Sequence, residues 1–198
     1  MTTTTTPLVE IQADDHLRDR LTRTLDAMPG EYLAAARGAH ITIRMLEHGE
    51  RFGDIDRRFT QFDGKPPGII GGLYCRDRAI VVLARLEPFI LAHELSHVAD
   101  AALGDGTCWR SQLDDRIARA YRSAKNHGLF ISAYAQVNIL EYAAEAFRAA
   151  CGYGPPRPAG RPTDLERLAR IDPLLVEAAK DWLGDLRARF PLASTTSP

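Results

Sequence analysis

The spacing of apolar and polar positions divides the first half of the chain into two helical and three β-prone segments. Apolar residues recur at helical intervals over 16–28 and 31–37, which predicts an amphipathic helix followed by a shorter one. Residues 40–46 alternate in character and predict a strand. The runs 68–75 and 79–84 are apolar and β-prone, and the charged residues between them predict a hairpin turn.

The second half of the chain is predicted to be mainly helical. Amphipathic or apolar helices are expected over 88–104, 111–125, 138–150 and 174–186. The proline-rich run 152–162 predicts a rigid loop that either walls a cleft or only connects two elements. This pattern favours the α+β class, with a helix-rich domain and a small mixed β-sheet.

Composition and charge restrict the organisation and the partners. With 198 residues and 45% hydrophobic content, we expect a flexible leader over 1–13, one domain over 14–190 and a flexible tail over 191–198. The net charge of -1 gives no basic excess, so nucleic acid is not an expected partner. No apolar run approaches the length of a membrane span, and the N-terminal segment lacks the regions of a signal peptide. A cytoplasmic protein is expected, or one delivered or secreted by a signal-independent route.

The three cysteines do not indicate a disulfide framework or a metal site. Cys75, Cys108 and Cys151 form an odd set without paired spacing, which mildly favours a reducing compartment. Nothing beside Cys75 would activate its thiol, so a cysteine protease is not favoured.

An HExxH motif gives the strongest chemical signal. His93 and His97 lie four positions apart, so on a helix both imidazoles project from one face and can bind one zinc ion. Glu94 can then reach a water beside the metal and act as the general base. Chance occurrence and a purely structural histidine pair are the alternatives. The surrounding segment is apolar and predicts a buried helix, in which unpaired histidines and glutamate would be costly, and this favours a metal.

The third ligand is expected on the helix predicted over 138–150. Asn138 is a suitable N-cap, and Glu141 and Glu145 share one face of a segment whose other residues are largely apolar. We assign Glu141 as the third ligand and Glu145 as a group that supports the ligands, because buried carboxylates need a partner or a metal. Two alternatives stay open: both carboxylates are solvated, or His127 is the third ligand instead of an exposed residue at a helix end.

The predicted hairpin lies just before the HExxH helix, and this is the zincin layout. In that layout an extended peptide pairs with the edge strand of the sheet above the metal. Gly71, Gly72 and Leu73 are the candidate substrate-binding edge, because glycines let a peptide backbone approach closely. The alternative is that these glycines form a β-bulge.

Two sequence blocks resemble the catalytic domains of the anthrax lethal factor family and the related Pro-Pro endopeptidases. The first is HELSHVAD, from His93 to Asp100; the second is Tyr134 followed by EYAAEAF from Glu141. In that family a tyrosine stands seven positions before the ligand glutamate and a second glutamate follows it by four, as Tyr134 and Glu145 do here. Ser96 and Ala143 depart from the family, which often has a glycine and an aromatic residue there.

The resemblance implies a zincin-like zinc metalloprotease. His93, His97 and Glu141 would bind one catalytic Zn²⁺, and Glu94 would be the general base. Tyr134 would stabilise the oxyanion, while Asp100 and Glu145 would orient ligands. We therefore expect a zinc endopeptidase acting on an extended protein or peptide segment.

The resemblance also suggests a bacterial effector or toxin-like protease as the biological setting. The alternatives are an intracellular regulatory protease that cleaves a repressor-type partner and a non-catalytic, zinc-stabilised binding module.

Overall fold

A mixed four-stranded sheet carries the edge that borders the candidate site. The chain is described by a computed structural model over residues 9–63 and 70–191. The strands are β1 (Glu10–Gln12), β2 (Thr42–Met45), β3 (Gly72–Cys75) and β4 (Ile80–Leu83), in the order β1-β2-β4-β3. The β1–β2 and β2–β4 pairs are parallel, whereas β3 and β4 are antiparallel. The predicted hairpin and the small mixed sheet are confirmed.

Strand β1 corrects the predicted leader of residues 1–13. Glu10–Gln12 pairs in parallel with Thr42–Arg44, so the ordered fold begins before residue 13. The strand is only three residues long and contributes one partly buried apolar residue, Ile11, so periodicity could not reveal it. Residues 1–8 of the leader, 68–69 of the predicted hairpin and 192–198 of the predicted tail lie outside the described residues.

Most helices of the described ranges pack on one face of the sheet. The helices are α1 (Asp15–Asp26), α2 (Gly30–Gly38), α3 (Phe52–Ile55), α4 (Pro88–Leu103), α5 (Arg110–Leu113), α6 (Asp115–His127), α7 (Ile139–Ala150), α8 (Asp164–Ile171) and α9 (Pro173–Arg189). Phe52 of α3 packs on the other face of the sheet with Cys75, Ile80 and Val82. The predicted helix-rich α+β class is confirmed. No helix in the described ranges has both the length and the apolar character needed to cross a membrane.

One predicted helix is divided in the structure, and α3 and α8 are helices that were not predicted. The helix predicted over 111–125 is broken at Asp114, whose carboxylate caps α6 by accepting a hydrogen bond from the amide of Arg116 at 3.0 Å. Helix α8 was not predicted; it begins after Thr163, which forms a capping box with Glu166. In both places a polar cap sets a boundary that the apolar spacing does not record.

Helices α4 and α7 pack against each other at the centre of the fold. Pro88 occupies the first turn of α4, and Leu91, Leu95 and Val98 are completely buried along it. On α7, Phe147 is also fully buried and lies edge-on to Tyr32, with ring centroids 5.4 Å apart. Apolar residues of α4 and α7 share one core with Tyr32 of α2, and the polar faces of α4 and α7 meet at the candidate site.

Candidate metal centre

Three donor atoms from α4 and α7 converge at one point. His93 Nε2 lies 3.0 Å from Glu141 Oε2, and His97 Nε2 lies 3.4 Å from the same oxygen. The donor atoms of the three residues all lie within 4.8 Å of one another. Tetrahedral ligands that are about 2.0–2.1 Å from zinc are separated by about 3.3–3.4 Å, so this spacing fits a zinc site with little rearrangement.

Local sequence signals place these three residues. The two histidines are one helical turn apart on α4, and their rings meet edge to face with centroids 4.8 Å apart. The side chain of Asn138 accepts hydrogen bonds from the amides of Leu140 and Glu141, at 2.8 and 3.0 Å, and so begins α7 there. This N-cap sets Glu141 in the first turn, facing α4.

His93 lies between two carboxylates. Its Nδ1 is 2.9 Å from Glu145 Oε1, on the opposite side of the ring from Glu141. Burial lowers the pKa of His93, but the hydrogen bonds to Glu141 and Glu145 outweigh it and raise that pKa to about 10. Burial raises the pKa values of both glutamates, and the contacts with His93 hold them well below the usual range. The site is therefore built to hold positive charge.

Glu94 points from α4 towards the edge strand of the sheet. Its side chain is buried, and burial raises its pKa, while His93 and His97 oppose the shift. A Cβ atom at Gly72 would lie 2.8 Å from Glu94 Cγ and 2.9 Å from Oε1, so the glycine makes room for this carboxylate. Glu94 is thus a buried carboxylate with an increased proton affinity beside the three donor atoms.

Strand β3 has a neighbour on one side only within the described part of the chain. The amide of Ala84 donates to the carbonyl of Gly71 at 2.9 Å, which marks these two as a hydrogen-bonded pair. Because such pairs alternate in an antiparallel ladder, the backbone groups of Gly72 and Tyr74 face away from β4 towards the open edge.

Gly72 and Leu73 lie in the edge strand, and Gly71 lies just before it, opposite a bulge in the facing chain; substrate binding at this edge stays a prediction. The ladder is regular from Gly72 to Cys75, so Gly72 and Leu73 belong to the edge strand. At Gly71 the single carbonyl accepts from both Ala84 and Arg85, at 2.9 and 3.3 Å, which is the pattern of a β-bulge in the facing chain.

Tyr134 lines the same cleft as the edge strand. Its ring meets His93 edge to face, with centroids 5.9 Å apart, and 38% of the residue is exposed. Burial, with smaller effects from Glu141, Glu94 and Glu145, raises its pKa to about 12. The phenol therefore keeps its proton at neutral pH and can donate a hydrogen bond into the cleft. Apolar and aromatic side chains continue the cleft wall: Phe62, Ile70, Leu73, Trp109, Val137 and Leu140.

Asp100, which was predicted to orient a ligand, is hydrogen-bonded to Ser111. Its carboxylate accepts hydrogen bonds from both the amide and the hydroxyl of Ser111, each at 2.7 Å. Burial raises the pKa of Asp100 to about 6, although the bonds from Ser111 oppose this. Within the described residues, Nδ1 of His97 is buried and has no hydrogen-bond partner. The described hydrogen bonds of Asp100 thus go to the start of α5, and its role in orienting a ligand stays a prediction.

The structure does not bring His127 to the site. His127 is exposed at the end of α6, where its Nδ1 lies 2.8 Å from the carbonyl oxygen of Ser123. In the described ranges, the group of three or more close metal donors consists of His93, His97 and Glu141. The geometry therefore favours Glu141 over His127 as the third donor.

Sequence reasoning missed two side chains that support the site. Trp109 meets the ring of His97 edge to face with centroids 5.9 Å apart. Arg148 donates to both carboxylate oxygens of Glu145, at 3.1 and 2.9 Å. The spacing of three positions from Glu145 to Arg148 was a usable signal for that pair, whereas no local pattern links Trp109 to His97.

Comparison with known proteins adds no family assignment. No protein-family model matches the chain, and no curated protein matches it.

Proposed function

We propose that this protein is a zinc-dependent endopeptidase with a zincin-like fold that hydrolyses a peptide bond in an extended protein segment. The observation that carries the proposal is the convergence of His93, His97 and Glu141 beside a buried glutamate and an open strand edge. Each component alone has a structural explanation. Their meeting in one cleft is what a metallopeptidase requires.

The donor set suits zinc. Two imidazole nitrogens and one carboxylate oxygen form the ligand set of many catalytic zinc sites, which keep a further position open for water or substrate. Zinc bound there would supply a Lewis acid that activates water and polarises the carbonyl under attack. The partly buried carboxylate of Glu141 and the buried carboxylate of Glu145 match the positive charge of the ion.

Two other side chains supply proton transfer and hydrogen bonding. Glu94 takes the proton from the attacking water and returns it to the leaving amine, a role that its increased proton affinity suits. Tyr134 donates a hydrogen bond to the oxygen on which negative charge develops. Neither role needs a residue outside the cleft.

The strand edge provides the binding mode for the substrate. The outward-facing backbone groups of Gly72 and the carbonyl of Tyr74 can pair with an extended peptide, which adds a strand to the sheet, while the amide of Tyr74 is hydrogen-bonded to Glu94. Gly72 borders both this edge and Glu94, so a peptide held there would pass next to the base. This arrangement favours an extended protein or peptide segment as the substrate.

The gathering of Tyr134, Glu141 and Glu145 around His93 supports the proposed relationship to the lethal factor and Pro-Pro endopeptidase group. These are the residues whose spacing carries the resemblance. An effector or toxin-like role is part of the same proposal.

The proposal is tested by incubating the zinc-loaded protein with a diverse peptide library, beside a Glu94→Gln variant of equal zinc content. We expect the parent to cut a subset of peptides and the variant to lose turnover by roughly 10²- to 10⁴-fold, because the amide cannot accept the proton. Equal turnover in both would reject Glu94 as the base. If neither protein cuts any peptide although zinc is bound, a zinc-stabilised binding module is favoured instead.

A further inference from the structure

A buried ionic chain extends from the candidate metal centre into the C-terminal part of the fold. Arg148 is only 2% exposed, and its Nε and Nη2 donate to the two carboxylate oxygens of Glu145. The same Glu145 bonds His93 Nδ1 at 2.9 Å. One guanidinium therefore lies a single residue away from a proposed zinc ligand, on the side opposite the metal.

Asp164 holds the other side of this guanidinium. Arg148 Nη2 donates to Asp164 Oδ2 at 3.0 Å, and Asp164, the first residue of α8, is 5% exposed. Arg148 Nη1 also donates to the carbonyl of Tyr153 at 2.5 Å. The contacts leave Arg148 with partners on both sides, so its position is determined by residues from α7, α8 and the loop between them.

The proline-rich loop over 152–162 completes this support. Arg157 donates to Asp164 Oδ1, and a Cβ atom at Gly154 would lie 3.1 Å from Asp164 Oδ2. The absence of a side chain at Gly154 lets the loop close over the carboxylate. The loop left unexplained by the sequence thus contacts the chain of charges that ends at His93.

The pairing of Arg148 with Glu145 has a geometric consequence. Two parallel hydrogen bonds from a planar guanidinium fix the plane of a carboxylate as well as its position. With both oxygens held, Glu145 Oε1 is directed at His93 Nδ1, and this contact in turn orients the imidazole. A carboxylate behind a ligand histidine is a common means of raising the affinity of a site for its metal.

We propose that Arg148, anchored by Asp164, is a positioning residue of the zinc centre that acts on His93 through Glu145. This inference rests on the proposed function, because it takes His93 to be a zinc ligand. It adds that α8 and the 152–162 loop contribute to metal affinity although neither supplies a ligand.

The first test measures zinc affinity by competition with a chromophoric chelator, together with the visible absorption spectrum of the cobalt-substituted protein. Arg148→Met should weaken zinc binding about tenfold and change the cobalt spectrum, because the carboxylate loses its fixed plane. The matched control is Arg167→Met. Arg167 also contacts Asp164, at 3.3 Å, but its side chain is 34% exposed and it makes no contact with Glu145. Zinc affinity in the control should stay within about twofold.

A double-variant cycle separates positioning from a general loss of stability. Adding Arg148→Met to Glu145→Gln should weaken zinc binding no further, because Arg148 acts through the carboxylate that is already neutralised. Additive losses would contradict the inference, as would an equal loss in Arg167→Met.

If Arg148→Met does not fold, Arg148→Lys serves as the second variant. Lysine keeps the charge but cannot form both parallel hydrogen bonds, so zinc should bind several-fold more weakly. An unchanged affinity in Arg148→Lys would overturn the inference. Failure of the parent to bind zinc would overturn the proposed function as well.

Discussion

The two histidines of the site lie on one face of α4 but have different surroundings. His93 is hydrogen-bonded through Nδ1 to Glu145, behind which lie Arg148 and Asp164. His97 has no such partner at Nδ1 in the described part of the chain, and its ring forms a T-shaped contact with Trp109. We infer that the fold orients one ligand with charged hydrogen bonds and the other with aromatic packing. The first means is directional, and the second mainly excludes water.

Removing the donor shared by both histidines should have the largest effect. Glu141 Oε2 faces Nε2 of both rings, so Glu141→Ala leaves the proposed zinc with two protein ligands. Zinc affinity should fall by more than about 100-fold, which exceeds the loss typical of groups that only support ligands. Calorimetric titration with zinc measures the loss. Undiminished affinity would exclude Glu141 as a zinc ligand and as the donor shared by the two histidines.

Displacing the base should leave both ligand environments intact. In Gly72→Ala the new methyl group would push against Glu94, so turnover should fall by up to about 100-fold while zinc affinity is unchanged. Steady-state kinetics on a peptide selected from the library provides the readout. Gly184→Ala is the control, because a Cβ atom there has no neighbour within 4 Å. A fall in zinc affinity in Gly72→Ala would show that the edge strand also supports the ligands.

Removing the negative charge behind His93 should weaken zinc binding about 10- to 100-fold. Glu145→Gln keeps the shape of the side chain but removes the charge that orients His93 and pairs with Arg148. The exposed Glu177→Gln on α9 is a control with the same chemical change. Competition with a chelator measures the zinc affinity of both variants. Equal affinities in Glu145→Gln and Glu177→Gln would mean that the carboxylate of Glu145 does not act on His93.

Removing the aromatic ring beside His97 should reduce zinc affinity the least. Trp109→Ala removes the ring beside His97 but no hydrogen bond to it, so we expect zinc affinity to fall less than about tenfold. Trp109→Phe should restore most of the loss, since it keeps an aromatic surface. If Trp109→Ala weakens zinc more than Glu145→Gln does, packing rather than charge dominates ligand orientation and the comparison is reversed.

The sequence predicted those parts of the site that depend on local geometry. The spacing of His93 and His97 and the N-cap at Asn138 each determine a feature within one or two helical turns, and the structure has both. The hairpin before α4 was equally accessible because its strands are adjacent in sequence.

The remainder depends on contacts between distant segments or on polar caps. Arg148 meets Asp164, and Trp109 meets His97, only after α8 and α5 have been placed. Asp100 is a further example, because its oxygens accept hydrogen bonds from Ser111, which belongs to a helix that was predicted with different bounds. The position of Asp100 in the sequence could not reveal these contacts with Ser111.

The central claim is that His93, His97 and Glu141 bind one zinc ion with a position left open to the cleft. The most direct test is a crystal structure of the zinc-loaded protein with diffraction data collected on both sides of the zinc absorption edge. We predict a single anomalous peak about 2.0–2.2 Å from both Nε2 atoms and a Glu141 carboxylate oxygen, with the remaining position facing Glu94 and Tyr134. A peak at other residues, or an ion enclosed by four protein ligands, would contradict the account.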